Sequence, residues 1–134
     1  MRPEISDDGQ CFVCGKDNPK GLGIEFRSSE EGVVAEFIAS AEHQGYRNIV
    51  HGGIIAALLD EASIKAASSS GITAVTAEIR LRYKNPLFIN EHAIIKAKIV
   101  RERGDLIEAE AFIRRSDDSK MIARCSTKLY VQGE

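Results

Sequence analysis

The sequence predicts an α+β domain in which a curved antiparallel sheet of five to six strands wraps around one long central helix. Three observations carry this expectation. Residues 52 to 69 form one long, almost wholly apolar helical run. Two short strand candidates precede it and four long ones follow it. The first of the long strands, Ala74 to Tyr83, alternates Val75, Ala77, Ile79, Leu81 and Tyr83 with Thr76, Glu78, Arg80 and Arg82. Such a sheet needs cover on one face only, and one helix and one sheet must bury their apolar faces against each other.

The elements follow in order along a single domain, residues 1–134. Residues 1–20 are polar and turn-rich, end in Asp17-Asn18-Pro19-Lys20-Gly21, and read as an N-terminal arm or cap. Gly23 to Arg27 is a short strand candidate, Glu30-Glu31-Gly32 a turn, and Val33 to Ala39 a second strand. A polar loop from Ser40 to Val50 leads into the helix, which Ser68-Ser69-Ser70-Gly71 ends, with Gly71 suited to a left-handed closing position. Asn85-Pro86 stops the strand that begins at Ala74. Ala93 to Arg101 and Leu106 to Arg114 meet at Arg103-Gly104-Asp105, and Ser116 to Ser119 turns the chain into Met121 to Val131.

Composition narrows the function classes. Hydrophobic residues make up 43% of the chain and charged ones 28%, as in an ordinary globular protein. The net charge of −2 supplies no basic field for nucleic acid. No apolar run approaches the roughly 20 residues of a membrane span, and the opening MRPEISDDGQ has no apolar signal core, so a cytoplasmic location is expected. Three cysteines are too few for a disulfide framework. Cys11 and Cys14 carry metal-knuckle spacing, but a structural zinc site takes four ligands. Only Cys125 and the isolated His43, His51 and His92 remain. No metal is therefore expected, and the pair is taken as two small, partly buried residues of a turn.

The chemistry concentrates between His43 and Glu61, HQGYRNIVHGGIIAALLDE. Gly52 and Gly53 open the helix, where backbone N–H groups lack partners and the helix dipole favours negative charge. Such donors suit an oxyanion. Ser or Asp would cap a helix better, so two glycines indicate close backbone approach. Asp60 has Gly53, Ala56, Ala57, Ser63, Ile64 and Ala67 as helix-surface neighbours and no cation among them. An apolar stripe disfavours its charged form, as expected of a base; the bland alternative is an acid at the solvent edge. Glu61 has Lys65 four residues on and reads as a solvated surface pair. His51 can serve as a base, but shaping the helix mouth through loop hydrogen bonds is the preferred role. Arg80, Arg82 and Lys84 read as a solvated strand face rather than a phosphate site.

Together, His51-Gly52-Gly53 with Asp60 in the same helix, the strand ending Tyr83-Lys84-Asn85-Pro86, and the Cys11-Phe12-Val13-Cys14-Gly15 opening followed by Asn18-Pro19-Lys20-Gly21-Leu22 resemble a known family. It is the hot-dog-fold acyl-CoA thioesterases of the phenylacetate-degradation type, and the resemblance runs over nearly the whole chain. It implies a hydrolysis in which the Gly52 N–H holds the thioester oxygen and Asp60 acts as nucleophile or as base for water. Thr76 would position the water or the carboxylate, with Gly53 at the substrate. The family's loop Asn, six residues before the His, falls on Gly45, leaving Gln44 or Asn48 to supply an amide. The resemblance also implies no cofactor, coenzyme A being part of the substrate, and dimers that often pair into tetramers. Helix geometry points to the same dimer. Gly52 and Asp60 stand about 12 Å apart along one helix, whereas two antiparallel copies crossing near Ala56 would bring each chain's Gly52 level with the other's Asp60. Two other readings of such a domain stay open: an acyl-CoA-binding protein without catalysis, and a hydratase or dehydratase acting on acyl thioesters.

Overall fold

In the computed structural model, which describes residues 5–132, the apolar run becomes one helix, α1 (Gly52–Ser68). Alanine, leucine and isoleucine dominate it, and it buries Ile55, Leu58, Leu59, Ala62, Ser63, Ala66 and Ala67. Gly71, at φ +80°, ends it: the Gly71 N–H returns to the Ser68 carbonyl at 2.9 Å and the Ile72 N–H to that of Ala67 at 3.1 Å. These are the paired closing bonds of a glycine-terminated helix.

Six strands form one antiparallel sheet: β1 (Arg27–Ser28), β2 (Val33–Ile38), β3 (Ala74–Tyr83), β4 (His92–Arg103), β5 (Leu106–Arg115) and β6 (Met121–Val131), in the order β1-β2-β4-β5-β6-β3. The sheet wraps α1, which lies chiefly on β4 and β5. This is the hot-dog arrangement that the sequence led us to expect. Inward-facing residues of the central strands include Ala93, Ala97, Ala109, Ala111 and Ala123, all buried. Their small size lets the helix sit close to the sheet, with Phe37, Ile95, Ile113 and Ile122 filling the space around Leu58 and Leu59.

Two expectations change. The short strand expected at Gly23 to Arg27 is reduced to Arg27–Ser28, paired with Val34 and Val33. The preceding residues bond elsewhere: the Leu22 N–H goes to the Phe12 carbonyl at 2.7 Å and the Ile24 N–H to that of Val13 at 2.8 Å. The arm is thereby folded onto the domain, with Val13 and Ile24 in the core; its residues 1–4 lie outside the described residues.

The second change is in β3. Its register with β6 shifts between Thr76 and Glu78, so Thr76 pairs with Leu129, Ile79 with Thr127 and Leu81 with Cys125. Those β6 partners are buried beneath the helix. The bulge at Ala77 therefore turns Thr76 to the same side as Ile79, Leu81 and Tyr83, whereas uninterrupted alternation sets it opposite them. A bulge re-aims a side chain in this way, and here it aims a hydroxyl at α1.

Candidate active site

The loop before α1 is a compact hairpin. Its Gly45 N–H bonds the Ile49 carbonyl at 2.8 Å, the Val50 N–H bonds that of Leu87 at 2.9 Å, and the His51 N–H bonds that of His43 at 2.8 Å. Asn48 adopts φ +67° at the bend, a conformation that asparagine tolerates better than most residues. Gln44 Oε1 accepts the Asn48 N–H at 2.9 Å, so this amide oxygen shapes the loop, and both side chains are exposed. Gly45 presses on the next segment: a Cβ there would lie 3.1 Å from His51 Cα. The structure thus places Gln44 and Asn48 on the loop and does not bring them against Asp60.

His51 caps the helix. Its Nδ1 accepts the Gly53 N–H at 2.8 Å, and its carbonyl accepts those of Ile54 at 3.0 Å and Ile55 at 3.3 Å. With Nδ1 an acceptor, the proton of the neutral ring sits on Nε2. Gly53 is small for this reason, since a Cβ would meet Nδ1 at 3.0 Å. One donor of the helix mouth stays free. Among the described residues no acceptor meets the Gly52 N–H, while the Gly52 carbonyl accepts the Tyr83 hydroxyl at 2.6 Å. Sequence reasoning missed that role for Tyr83, although the tyrosine ending β3 two residues before Asn85-Pro86 was its visible signal. The bond ties the helix mouth to the edge of the sheet.

Two turns further along α1, Asp60 Oδ1 accepts the Thr76 hydroxyl at 2.6 Å. Both residues are half-buried. The structure therefore joins Asp60 with Thr76, and His51 with Gly52 and Gly53, as two separate groups along one helix. Cys125, beneath the helix on β6, does not compete as a nucleophile: burial pushes its thiol up to about 11, so it stays protonated at neutral pH. The face formed by Gly53, Ala56, Ala57, Asp60 and Ile64 is exposed or half-exposed, and no strand covers it fully.

Glu61 is not the solvated residue expected from its sequence. Its side chain is 15% exposed, because the arm crosses over it. It meets Lys65 at 3.8 Å and also accepts the Cys14 thiol at 3.1 Å. Burial and that hydrogen bond push the Cys14 thiol up to about 12.

A sizeable groove lies elsewhere, on the sheet face away from α1. It holds about 690 Å³ and is lined by Arg80, Arg82, Lys96, Lys98, Glu110 and Arg124 among others. Neither this groove nor a smaller one beside Ala66 and Ser69 reaches Gly52, Asp60 or Thr76. Arg80 pairs with Glu78 at 3.3 Å on this exposed face. No helix is long and apolar enough to cross a membrane among the described residues.

Residues 47–122 match the family model described as the thioesterase superfamily. The chain is 27% identical to acyl-coenzyme A thioesterase THEM4 of Rattus norvegicus over 84% of its own length and 50% of that protein's; it spans about half the length of this curated relative. Among solved structures, thioesterase superfamily member 2 of zebrafish superposes with a TM-score of 0.76 at 26% identity, covering 87% of this chain and 89% of that one. The Escherichia coli PaaI protein from the phenylacetic acid degradation operon superposes with a TM-score of 0.77 at 24% identity, covering 84% and 81%. At that identity it speaks for the fold.

Proposed function

The chain belongs to the thioesterase superfamily, and from that premise we propose that it hydrolyses the thioester of an acyl-coenzyme A with a small or medium acyl group. The observation that carries this reading is the 2.6 Å bond holding the Asp60 carboxylate to Thr76, on a helix whose mouth keeps the Gly52 N–H unengaged among the described residues. The name of the THEM4 relative, an acyl-coenzyme A thioesterase, supports the substrate class.

In the proposed reaction the thioester oxygen accepts the Gly52 N–H at the positive end of the helix dipole. Asp60, oriented by Thr76, removes a proton from water as it attacks the carbonyl carbon. The tetrahedral oxyanion rests on the Gly52 N–H, then collapses and breaks the C–S bond. The thiolate of coenzyme A leaves and takes up the proton that Asp60 had received. Direct attack by Asp60 through an anhydride uses the same residues. His51 acts as a positioning residue, holding the Gly53 N–H so that the Gly52 N–H alone points outward. Gln44 and Asn48 line the approach as loop residues. Coenzyme A is part of the substrate, and the reaction calls for no cofactor.

The site is completed by a second copy of the chain. Gly52 and Asp60 stand about 12 Å apart along α1, yet donor and base must meet within about 3 Å of one carbonyl. Two features favour an antiparallel pair: the small-residue face of α1 around Ala56, and β3, which ends the sheet with Ile79 38% and Tyr83 54% exposed on its helix-facing side. The test of the activity is free-thiol release from a panel of short, medium and aromatic acyl-CoAs. Stoichiometric coenzyme A and free acid are expected from at least one. Binding without thiol release, or water addition to an enoyl-CoA in its place, overturns the reading.

A further inference from the structure

A second set of reactive side chains converges where the arm crosses α1, apart from Gly52, Asp60 and Thr76. The sulfurs of Cys11 and Cys14 and a carboxylate oxygen of Glu61 lie within 4.8 Å of one another. We propose that these three residues form a zinc site that fastens the arm to the helix turn carrying Asp60.

Four features of the cluster support it. First, the two cysteines belong to a turn that is already knuckle-shaped. The Cys14 N–H points at Cys11 Sγ at 3.5 Å, and the Gly15 N–H closes the turn on the Cys11 carbonyl at 2.8 Å. A side chain at Gly15 would collide with the Cys11 backbone and the Gly9 carbonyl, so the turn accepts only glycine there. Secondly, the bonds from Leu22 and Ile24 to Phe12 and Val13 hold the residues between the two cysteines in place. Thirdly, the third donor comes from another element, 47 residues beyond Cys14. Zn–S bonds of about 2.3 Å and Zn–O bonds of about 2.0–2.2 Å in a tetrahedron put donors about 3.6–3.8 Å apart. The present spread closes with about 1 Å of side-chain movement; Glu61 adds a third protein donor to the two cysteines, and because all three are only half-buried a solvent water is proposed as the fourth ligand. Fourthly, the charges balance. Two thiolates and one carboxylate against Zn²⁺ leave one negative charge, with Lys65 standing 3.8 Å from Glu61.

The donor set also selects the ion. Thiolates favour zinc over calcium and magnesium, which prefer all-oxygen sites. In the metal-free chain a thiol proton joins Cys14 to Glu61; the zinc takes that place, and binding releases one proton from each of the two thiols. The cation bonds to Glu61 and not to Asp60, so its effect is to brace the helix and order the arm.

The experiment uses the full chain, reduced and stripped with chelator, then titrated with Co²⁺ and Zn²⁺. One cobalt per chain is expected, with sulfur-to-cobalt charge-transfer absorption and tetrahedral ligand-field bands, both removed by one equivalent of zinc. Zinc should also raise the melting temperature. Losing even an outer partner of a metal site costs about ten- to a hundredfold in affinity, so Cys11→Ser, Cys14→Ser and Glu61→Gln should each weaken binding at least tenfold. Glu61→Gln should keep the sulfur-to-cobalt band. A wild-type chain that is folded by circular dichroism yet shows no such band overturns the proposal without recourse to any variant, and so does zinc affinity unchanged by all three substitutions. Thiol release from acyl-CoA is measured separately, so failure of the metal site and failure of the hydrolase reading are told apart.

Discussion

At Asp60 the proposed chemistry depends on the hydroxyl of Thr76, which donates to the carboxylate at 2.6 Å. Asp60→Asn keeps size and polarity but removes the base, so turnover should fall by about a hundredfold or more, while acyl-CoA binding, followed calorimetrically, survives. Thr76→Val removes only the 2.6 Å bond. A hydrogen bond to a charged group is worth about 1.5–3 kcal/mol, which sets the loss at roughly ten- to a hundredfold in kcat with little change in KM. Thr76→Ser should restore most of it; a Ser variant as slow as the Val variant would mean that the hydroxyl is not what matters. The place of Asp60 on a helix face without a cation, beside Gly53, Ala56 and Ala57, was legible in the sequence because that pattern is local. Glu61 was not. Its i,i+4 partner Lys65 looks like an ordinary surface pair, and the residue that buries it, Cys14, is 47 positions away. Only the fold brings such a partner to it.

Among the elements, the helix and the long strands were readable from periodicity, and their observed limits differ from the expected ones by a residue or two. The bulge in β3 was not. Ala77 gives no glycine or proline signal, and the shift exists only as a register between β3 and β6. That one extra residue decides whether Thr76 faces α1. The loop before α1 depends on a neighbour in the same way. Arg115, at the end of β5, bonds the Pro86 carbonyl at 2.6 Å, Glu91 at 3.1 Å and Asp118 at 2.9 Å. The segment it holds supplies the Leu87 carbonyl to Val50 at 2.9 Å and the Ile89 N–H to Asn48 at 2.9 Å. Arg115→Leu removes three charge-assisted bonds from a side chain that is 11% exposed. A destabilisation of about 2–4 kcal/mol is expected, within the range for breaking a buried network. Amide exchange should quicken at Val50 and Ile89 before it does in the centre of the sheet. Equal protection at both places would show that the clamp does not support the helix mouth.

For the whole molecule the question is what a single chain lacks. Its groove of about 690 Å³ is on the wrong face for Asp60, and the helix face around Ala56 and the open edge at β3 are left partly bare. A two-fold axis near Ala56 would answer both, since an isologous interface places each residue opposite its symmetric counterpart. Gly52 of one protomer would then stand level with Asp60 of its partner. The prediction is complementation between two inactive variants. Asp60→Asn keeps a sound helix mouth. Gly52→Val keeps Asp60 but sets a branched side chain where even a Cβ lies 3.3 Å from the Tyr83 hydroxyl, blocking the mouth. In an equal mixture with random exchange, half the dimers are mixed. Each of those has one site with both groups intact and one with neither. Activity should therefore rise from near zero to about a quarter of the wild-type value per chain, as two-fold symmetry requires. Native mass spectrometry fixes the mixed fraction independently. Mixed dimers that stay inactive, or a monomer with full activity, would place Gly52 and Asp60 in one chain's site after all and remove the reason for the second copy.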